Sequence, residues 1–178
     1  MNRLHTIEID QATGETEQLF TGIKRAIGRV PNSYLTLGSN APAVLNQVLQ
    51  TGAVLKKGEL SAREQEAINL AISEVSGCDY CLAAHSMMGK MAGFGVQELH
   101  ELRDGGFSAD AKLDALVKFA LDVFKSNGPV PAEVLQNVKQ AGYSDRQIVE
   151  ALYAISAILF TNMLNRVNDT VLDFPKAP

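Results

Sequence analysis

The two cysteines of the chain, Cys78 and Cys81, are separated by two residues and followed by His85. Residues three and four apart share one face of a helix, so all three side chains lie on one stripe if this segment is helical. Cα atoms three residues apart on a helix are about 5 Å from each other, within the range of roughly 4.4–6.8 Å that disulfides require. The pair is therefore predicted to close and open a disulfide with little backbone movement.

A helix that begins at these cysteines would also activate them. Gly77 can end a preceding helix, which places Cys78 near the N-terminus of the next one. The N-terminus of a helix carries a partial positive charge and free N–H groups, and both stabilise a thiolate, the nucleophilic form of cysteine. His85, one turn further on, can hold or deliver a proton. These features describe a dithiol that is suited to attack a peroxide or a disulfide.

Three other interpretations of the cysteine pair are weaker. A zinc site usually has four ligands, and His85 would bring the number here to three, since His5 and His100 have no usual ligand spacing. Two buried and inert cysteines remain an alternative, because cysteine packs well in protein cores. A thioredoxin-like motif requires a preceding strand, whereas a helix is predicted before Cys78. We predict no metal site and no site for flavin, nicotinamide or haem.

A carboxylate on the preceding helix could complete the site. This helix must fold back across Ser76-Gly77, so a residue about ten positions before the turn faces one about ten positions after it. Glu66 is level with His85 in this arrangement. Glu64 is the competitor, because it lies near the middle of an apolar face, although it is also part of a capping pattern. Periodicity leaves the choice open, because a central helix can be covered on both faces.

The spacing of apolar residues predicts helices throughout, and no alternating run bounded by hairpin turns predicts a strand. Ser61–Glu64 and Ser144–Gln147 match the capping box at a helix start. Asn40 and Ser108 are predicted caps of two further helices. The tail from Asp173 onwards is expected to be loose. The predicted helices are 16–27, 33–37, 42–58, 61–76, 78–92, 96–103, 110–125, 131–140 and 144–166.

The composition excludes several other classes of protein. The 178 residues are 46% apolar and 20% charged, which is typical of a globular domain and not of a disordered chain. Sixteen Lys and Arg against twenty Asp and Glu give a net charge of −4, which argues against a nucleic-acid partner. The N-terminus lacks the apolar stretch of a signal peptide, and the strongest apolar run, 151–160, is shorter than the about 20 residues that cross a bilayer. We therefore expect a cytoplasmic protein without a membrane partner.

At the carboxylate, the two cysteines and the histidine, the sequence resembles the alkylhydroperoxidase D and carboxymuconolactone decarboxylase superfamily. The core pattern of that family is Glu, eleven residues, Cys-x-x-Cys, three residues and His, and the spacing matches throughout. The resemblance therefore selects Glu66 over Glu64. It covers 60–94 most clearly and extends to the longer, peroxidase-related members through Val30-Pro31-Asn32, Ser39-Asn40-Ala41-Pro42 and the closing Asn165-Arg166.

The resemblance implies an all-α, single-domain multi-helix bundle over 1–178, with a core at about 60–94 and an N-terminal helical extension at about 13–58. It implies a homo-oligomer, either a trimer or a hexamer. It also implies thiol peroxidase activity in antioxidant defence, with a peroxide as substrate and electrons from a dithiol such as a lipoyl-bearing protein. It argues against carboxymuconolactone decarboxylase itself, whose members lack the cysteine pair.

One position departs from the pattern of alkylhydroperoxidase D. Those proteins tend to carry a histidine just before the second cysteine, in their proposed proton relay, where this chain has Tyr80. Tyrosine has a reference pKa of about 10 and is a poor base at neutral pH. We expect proton transfer here to depend on Glu66 and His85.

The leading hypothesis is a dithiol peroxidase. Cys81 attacks the peroxide and becomes sulfenic acid, and Cys78 then resolves it to a disulfide. Glu66 and His85 relay protons, and Cys81 is preferred as the attacker because it lies one turn from His85. Two alternatives stay open: a protein thiol-disulfide oxidoreductase or redox sensor, and a non-catalytic helical oligomer. The helix over 147–163 is apolar on most faces and is expected at the centre of the domain or at a subunit interface.

Overall fold

The computed structural model describes residues 2–178, and over this range helices are the only regular elements. The predicted all-α fold is confirmed. Met1, the first residue of the predicted domain, lies outside the described residues. A short 3-10 helix at Ile9–Gln11 precedes nine α-helices: α1 Gly14–Ile27, α2 Asn32–Asn40, α3 Pro42–Lys56, α4 Ala62–Val75, α5 Asp79–Met91, α6 Val96–Arg103, α7 Ala111–Lys125, α8 Ala132–Gln140 and α9 Asp145–Asn168.

Two of the helices begin with the predicted capping boxes. The Ser61 hydroxyl accepts the backbone N–H of Glu64 at 3.2 Å, and the Glu64 carboxylate accepts the backbone N–H of Ser61 at 2.8 Å. Ser144 and Gln147 make the same reciprocal pair at the start of α9, at 3.1 and 3.0 Å. These bonds satisfy N–H groups that the first turn of a helix leaves without partners, and they fix where α4 and α9 begin.

Two other predicted caps are wrong. Asn40 is the last residue of α2, and its amide donates to two backbone carbonyls instead of capping α3. Ser108 bonds to the carboxylate of Glu101, and Asp110 caps α7 by accepting two backbone N–H groups. Asn40 and Ser108 both bond to groups outside the helix that they were expected to cap, and local spacing does not show such partners.

Helix α4 lies at the centre of the bundle. It packs against α5, α6, α7 and α9. Because residues all around this helix are buried, a polar side chain on α4 must face a gap between neighbouring helices or pair with a buried partner. Its fully buried apolar residues are Ala67, Ile68, Leu70, Ala71 and Ile72.

The first three helices share a small hydrophobic cluster of their own. α1 and α2 approach so closely that a Cβ on Gly38 would overlap the ring of Phe20. This region corresponds to the extension predicted at about 13–58, and α3 joins it to the main core by packing on α9. The number of domains in the chain stays a prediction. The cluster consists of Ala12, Phe20, Ile23, Val30, Leu37 and Leu45.

Helix α9 is longer than the apolar run at 151–160. With 24 residues and an apolar composition, it is the kind of helix that could cross a membrane by length and composition alone. The core helix of a soluble protein passes the same test. One side of it packs in the core through Ala151, Ala154, Ile155 and Ile158. Length alone does not decide the membrane question, and the absence of a membrane partner stays a prediction.

The C-terminal tail is docked, and the expectation that it is loose is wrong. Asp173 makes an ion pair with Arg29 at 3.3 Å and accepts the backbone N–H of Asn32 at 3.1 Å. The ring of Phe174 lies edge-on to Tyr80, with centroids 5.6 Å apart, and the Arg29 guanidinium lies 4.3 Å from the Phe174 centroid. An acidic and an aromatic residue at the end of the chain thus pack against residues far away in sequence.

The cap of α7 can be tested by substitution. We expect Asp110→Ala to lower the free energy of unfolding by about 1 kcal/mol, because two N–H groups lose their acceptor. Ser108→Ala is the matched control and is expected to have a smaller effect. Urea denaturation followed by circular dichroism measures both variants. Equal losses for the two would contradict the assignment of the cap.

Candidate active site

The two helices that carry the predicted site residues form an antiparallel hairpin at Gly77. Gly77 has a φ of 63°, a left-handed conformation that favours glycine. Its N–H donates to the Glu74 carbonyl at 2.9 Å, and the N–H of Cys78 donates to the Ser73 carbonyl at 3.1 Å. α4 therefore ends abruptly, and α5 runs back along it.

Cys78 and Cys81 form a disulfide at the N-terminus of α5, with their Cα atoms 5.3 Å apart. Cys78 is the N-cap residue, and its sulfur accepts the backbone N–H of Cys81 at 3.2 Å. Only 1% of Cys78 and 3% of Cys81 is exposed. The sulfurs thus lie at a helix N-terminus shielded from solvent, where N–H donation and the helix dipole offset the cost of burying a thiolate.

Glu66 and His85 are joined across the hairpin. Glu66 Oε2 lies 2.8 Å from His85 Nδ1, and both side chains are about 85% buried, with 14% and 15% exposed. The other carboxylate oxygen of Glu66 accepts from the Asn69 amide at 3.3 Å. Glu64, the competing carboxylate, is held in the capping box of α4. The structure therefore brings Glu66, and not Glu64, to the histidine.

The carboxylate orients the histidine ring. An ionised Glu66 favours a proton on Nδ1, which leaves Nε2 as the nitrogen that exchanges protons with other groups. No hydrogen bond to Nε2 is formed within residues 2–178. His85 therefore has one ring nitrogen fixed by the protein and one available for chemistry.

Cys81 and His85 line one cavity of about 540 Å³. Cys78 is not among its lining residues, so Cys81 is the sulfur that faces the cavity. The wall is largely apolar, and its large apolar side chains come from three parts of the chain: Ile27, Met87, Met88, Met91 and Phe174. An apolar ligand with a reactive polar group can therefore reach Cys81 and His85 together.

A second cavity of about 390 Å³ is also lined by His85. His85, Tyr34 and Thr161 line both cavities, and Asn69 and Tyr153 line the second one alone. His85 thus borders both a cavity that Cys81 lines and a cavity that it does not line.

The comparisons with known proteins bear on the fold and on the segment that carries the site. Residues 42–110, which include α4 and α5, match the model of the carboxymuconolactone decarboxylase family. The fold matches a peroxidase-related protein with an alkylhydroperoxidase core from Ralstonia eutropha JMP134, with a TM-score of 0.86, 20% identity, and 97% of this chain and 92% of that chain covered. Over residues 42–110 the chain is thus similar to the carboxymuconolactone decarboxylase family, and as a whole it has the fold of the alkylhydroperoxidase core.

Two other solved structures share the fold of this chain. A peroxidase-related protein from Silicibacter sp. TM1040 has a TM-score of 0.78 at 20% identity, with 96% of this chain and 94% of that chain covered. The debrominase Bmp8 has a TM-score of 0.79 at 20% identity, with 96% and 92% covered, and a cysteine-to-alanine variant of it is known in complex with 2,3,4-tribromopyrrole. The curated proteins give no match. At these identities the structures establish the shared fold.

Tyr80, at the position where some superfamily members have histidine, is a structural residue here. Its hydroxyl accepts the backbone N–H of Ser33 at 3.2 Å. Burial raises the pKa of Tyr80 far above its usual range, and the neighbouring Asp173 carboxylate raises this pKa further. The phenol therefore keeps its proton at neutral pH, and it links α5 to α2 and to the docked tail.

Asn165 is a site residue that the sequence did not reveal as one. Its Nδ2 donates to the Cys81 sulfur at 3.4 Å, and the residue is buried. Asn162 and Asn168 are also buried on the same apolar helix, three residues to either side. Three asparagines at this spacing on an apolar helix are a signal of a buried polar stripe, because an amide is rarely buried without partners.

The structural role of Tyr80 can be separated from a role in proton transfer. Tyr80→Phe keeps the ring contact with Phe174 but loses the acceptor for the Ser33 N–H, so we expect a loss of about 1 kcal/mol in the free energy of unfolding. The pH profile of Cys78–Cys81 disulfide formation by oxidised glutathione is expected to stay unchanged, whereas His85→Gln should alter it. A changed profile in Tyr80→Phe would show that the phenol exchanges protons.

Proposed function

We propose that the protein is a thiol-dependent peroxidase that reduces organic hydroperoxides, with Cys78 and Cys81 as its redox centre and a role in antioxidant defence. The observation that carries the proposal is that Cys81 and the Glu66-bonded His85 line the same apolar cavity. A hydroperoxide in this cavity has a nucleophile and a proton-carrying group within one turn of α5 of each other.

The proposed reaction has two steps on the enzyme. The Cys81 thiolate attacks the terminal oxygen of R–O–O–H, the O–O bond breaks, and the alkoxide takes one proton and leaves as the alcohol. The Cys78 thiolate then attacks the sulfur of the Cys81 sulfenic acid, an S–S bond forms, and the S–O bond breaks with one proton taken up to release water. The disulfide present in the structure corresponds to the product of this second step.

Glu66 and His85 would manage the protons of both steps. Glu66 holds Nδ1, so Nε2 can take a proton from the Cys81 thiol before attack and return it to the leaving alkoxide. The same pair can protonate the departing water. Glu66 acts through His85 and is therefore a positioning residue in this scheme.

The reductant is proposed to be a narrow dithiol, such as the lipoyl arm of a carrier protein. Two electrons and two protons from that dithiol restore both thiols and leave the reductant as a disulfide. Both sulfurs are almost fully buried, so a flexible arm can reach Cys81 through the cavity while the disulfide of a folded protein cannot. This burial favours the peroxidase over a protein thiol-disulfide oxidoreductase.

A homo-oligomer, either a trimer or a hexamer, is part of the proposal. The outer side of α9 exposes large apolar side chains, and a contiguous exposed apolar patch is typical of an interaction surface. These side chains are Val149, Leu152, Tyr153, Phe160, Met163 and Val167.

The peroxidase activity is tested by treating the reduced protein with one equivalent of cumene hydroperoxide. We expect loss of both thiols, an intramolecular Cys78–Cys81 disulfide in the mass spectrum, and a rate well above that of free cysteine. Turnover should then continue with reduced lipoamide. Survival of both thiols would rule out the peroxidase and leave disulfide exchange or a structural pair.

Glu66 and Glu64 offer a matched pair of variants. Glu66→Gln removes the charge that holds His85, and we expect the reaction with hydroperoxide to slow by about 10–100-fold. Glu64→Gln keeps a capping partner at the same helix and is expected to react at the rate of the parent protein. Single-turnover kinetics measure both, with melting temperatures to confirm folding. Equal rates in the two variants would remove Glu66 from the proposed mechanism.

A second candidate function is reductive dehalogenation of a small aromatic halide. The observation in its favour is the set of aromatic rings, Tyr34, Tyr80 and Phe174, around the cavity that reaches Cys81. In that reaction an aryl bromide and the two thiols give the arene, the disulfide and hydrogen bromide. Bromide release from tribromopyrrole by the reduced protein would favour this function over the peroxidase.

A further inference from the structure

The Asn165 side chain directs an amide N–H group at the Cys81 sulfur. Asn165 is 4% exposed, and its Nδ2 lies 3.4 Å from the Cys81 sulfur. The two sulfurs have different donors, since the Cys78 sulfur accepts the backbone N–H of Cys81. The Cys81 sulfur, which faces the cavity, thus accepts a hydrogen bond from α9, and the Cys78 sulfur accepts one from α5.

Thr170 fixes which end of the Asn165 amide faces the sulfur. The Thr170 hydroxyl lies 2.9 Å from Asn165 Oδ1 and also accepts from Asn168 Nδ2 at 2.9 Å. The hydroxyl has a single proton, and it accepts from Asn168 on one lone pair and gives that proton to Asn165 Oδ1. The oxygen of Asn165 is thereby the acceptor, and its N–H groups are turned to Cys81.

The polarity of this chain of hydrogen bonds is set at its far end. Asn168 Oδ1 accepts the backbone N–H groups of Arg3 and Leu4 at 3.1 and 2.8 Å. A backbone N–H can only donate, so Asn168 must donate through Nδ2, which it does to Thr170 and to Thr36. Donation therefore runs in one direction, from the N-terminal segment through Asn168, Thr170 and Asn165 to the sulfur.

We propose that Asn165 is a catalytic residue that stabilises negative charge on the Cys81 sulfur, and that Thr170 is the positioning residue that orients it. A hydrogen bond to an ionised acceptor is stronger than one to a neutral acceptor, so this donor favours the thiolate over the thiol. The stabilised thiolate is the attacking group in the proposed peroxidase and the leaving group when the disulfide is reduced. The proposal rests on the proposed peroxidase function only for which reaction the thiolate takes part in; the stabilisation of the thiolate does not depend on it.

The titratable groups around Cys81 come from several elements. His85 is on α5, Glu66 is on α4 and bonds to His85, and Tyr34 is on α2, while Cys78 is the N-cap residue of α5. On the side of the C-terminal tail, the titratable groups are Tyr80 and the ion pair of Arg29 with Asp173. A neutral amide at 165 can be removed without changing any of these charges.

The test is a titration of the Cys81 thiol in the Cys78→Ser background, which leaves one thiol in the chain. The thiolate is followed by its ultraviolet absorbance and by the pH dependence of its reaction with iodoacetamide. We expect Asn165→Ala to raise the thiol pKa by about one unit, which is about a tenfold smaller thiolate fraction below that pKa. Asn162→Ala is the control, because Asn162 is equally buried on α9 but bonds to Ser73 and to the Ile72 carbonyl.

The positioning residue has its own pair of variants. Thr170→Val removes the hydroxyl that orients Asn165 and is expected to raise the Cys81 pKa, whereas Thr170→Ser should keep the parent value. If Asn165→Ala does not fold, the comparison of Thr170→Val with Thr170→Ser tests the proposal in its place. An unchanged pKa in folded Asn165→Ala, or equal pKa values in Thr170→Val and Thr170→Ser, would overturn the proposal. No peroxide is used, so a failed peroxidase assay and a failed titration are separate results.

Discussion

Helix α5 begins inside the protein, and this constraint determines how the site is built. The first turn of any helix has N–H groups without intrahelical partners, and burial makes each unpaired group costly. Cys78 meets that requirement by accepting the Cys81 N–H on its sulfur. Both sulfurs are then shielded from solvent, so any reactant must enter through a cavity, and any acid-base group must come from neighbouring turns and helices. His85 comes from the next turn of α5, and Glu66 reaches it from α4 across the hairpin.

The long helix α9 is both a core element and a source of polar groups for the site. Its apolar residues pack against α4, while Asn162, Asn165 and Asn168 form a buried polar stripe. Each amide in the stripe is paired, because an unpaired buried amide would be strongly destabilising. The stripe extends from the last turn of α4, past the Cys81 sulfur, to the N-terminal segment. The disulfide is therefore connected by hydrogen bonds to Thr170 and to the N-terminal segment.

The sequence predicts local features of this fold far better than long-range ones. Helix periodicity, two capping boxes and the spacing of Cys78, Cys81 and His85 depend on residues within a turn or two of each other, and the structure agrees with these features. The choice between Glu66 and Glu64 depends on which side of a helix faces α5, and α4 is covered all round. The contact of Asn165 with Cys81 and the docking of Phe174 on Tyr80 join residues about half the chain apart. No local pattern specifies such pairs, since each is set by how the helices pack.

The surroundings of the two cysteines differ enough to give each one a separate role under the proposed function. Cys81 faces the cavity, beside His85 and the Asn165 amide, so a reactant meets this sulfur first. Cys78 is 1% exposed and does not line the cavity, so the sulfur of Cys81 is the electrophile within its reach. Its Cα lies 5.3 Å from that of Cys81, a distance compatible with a disulfide in a rigid helical turn. Resolution can then follow oxidation without unfolding of α5, because the two sulfurs differ in access while remaining within bonding distance.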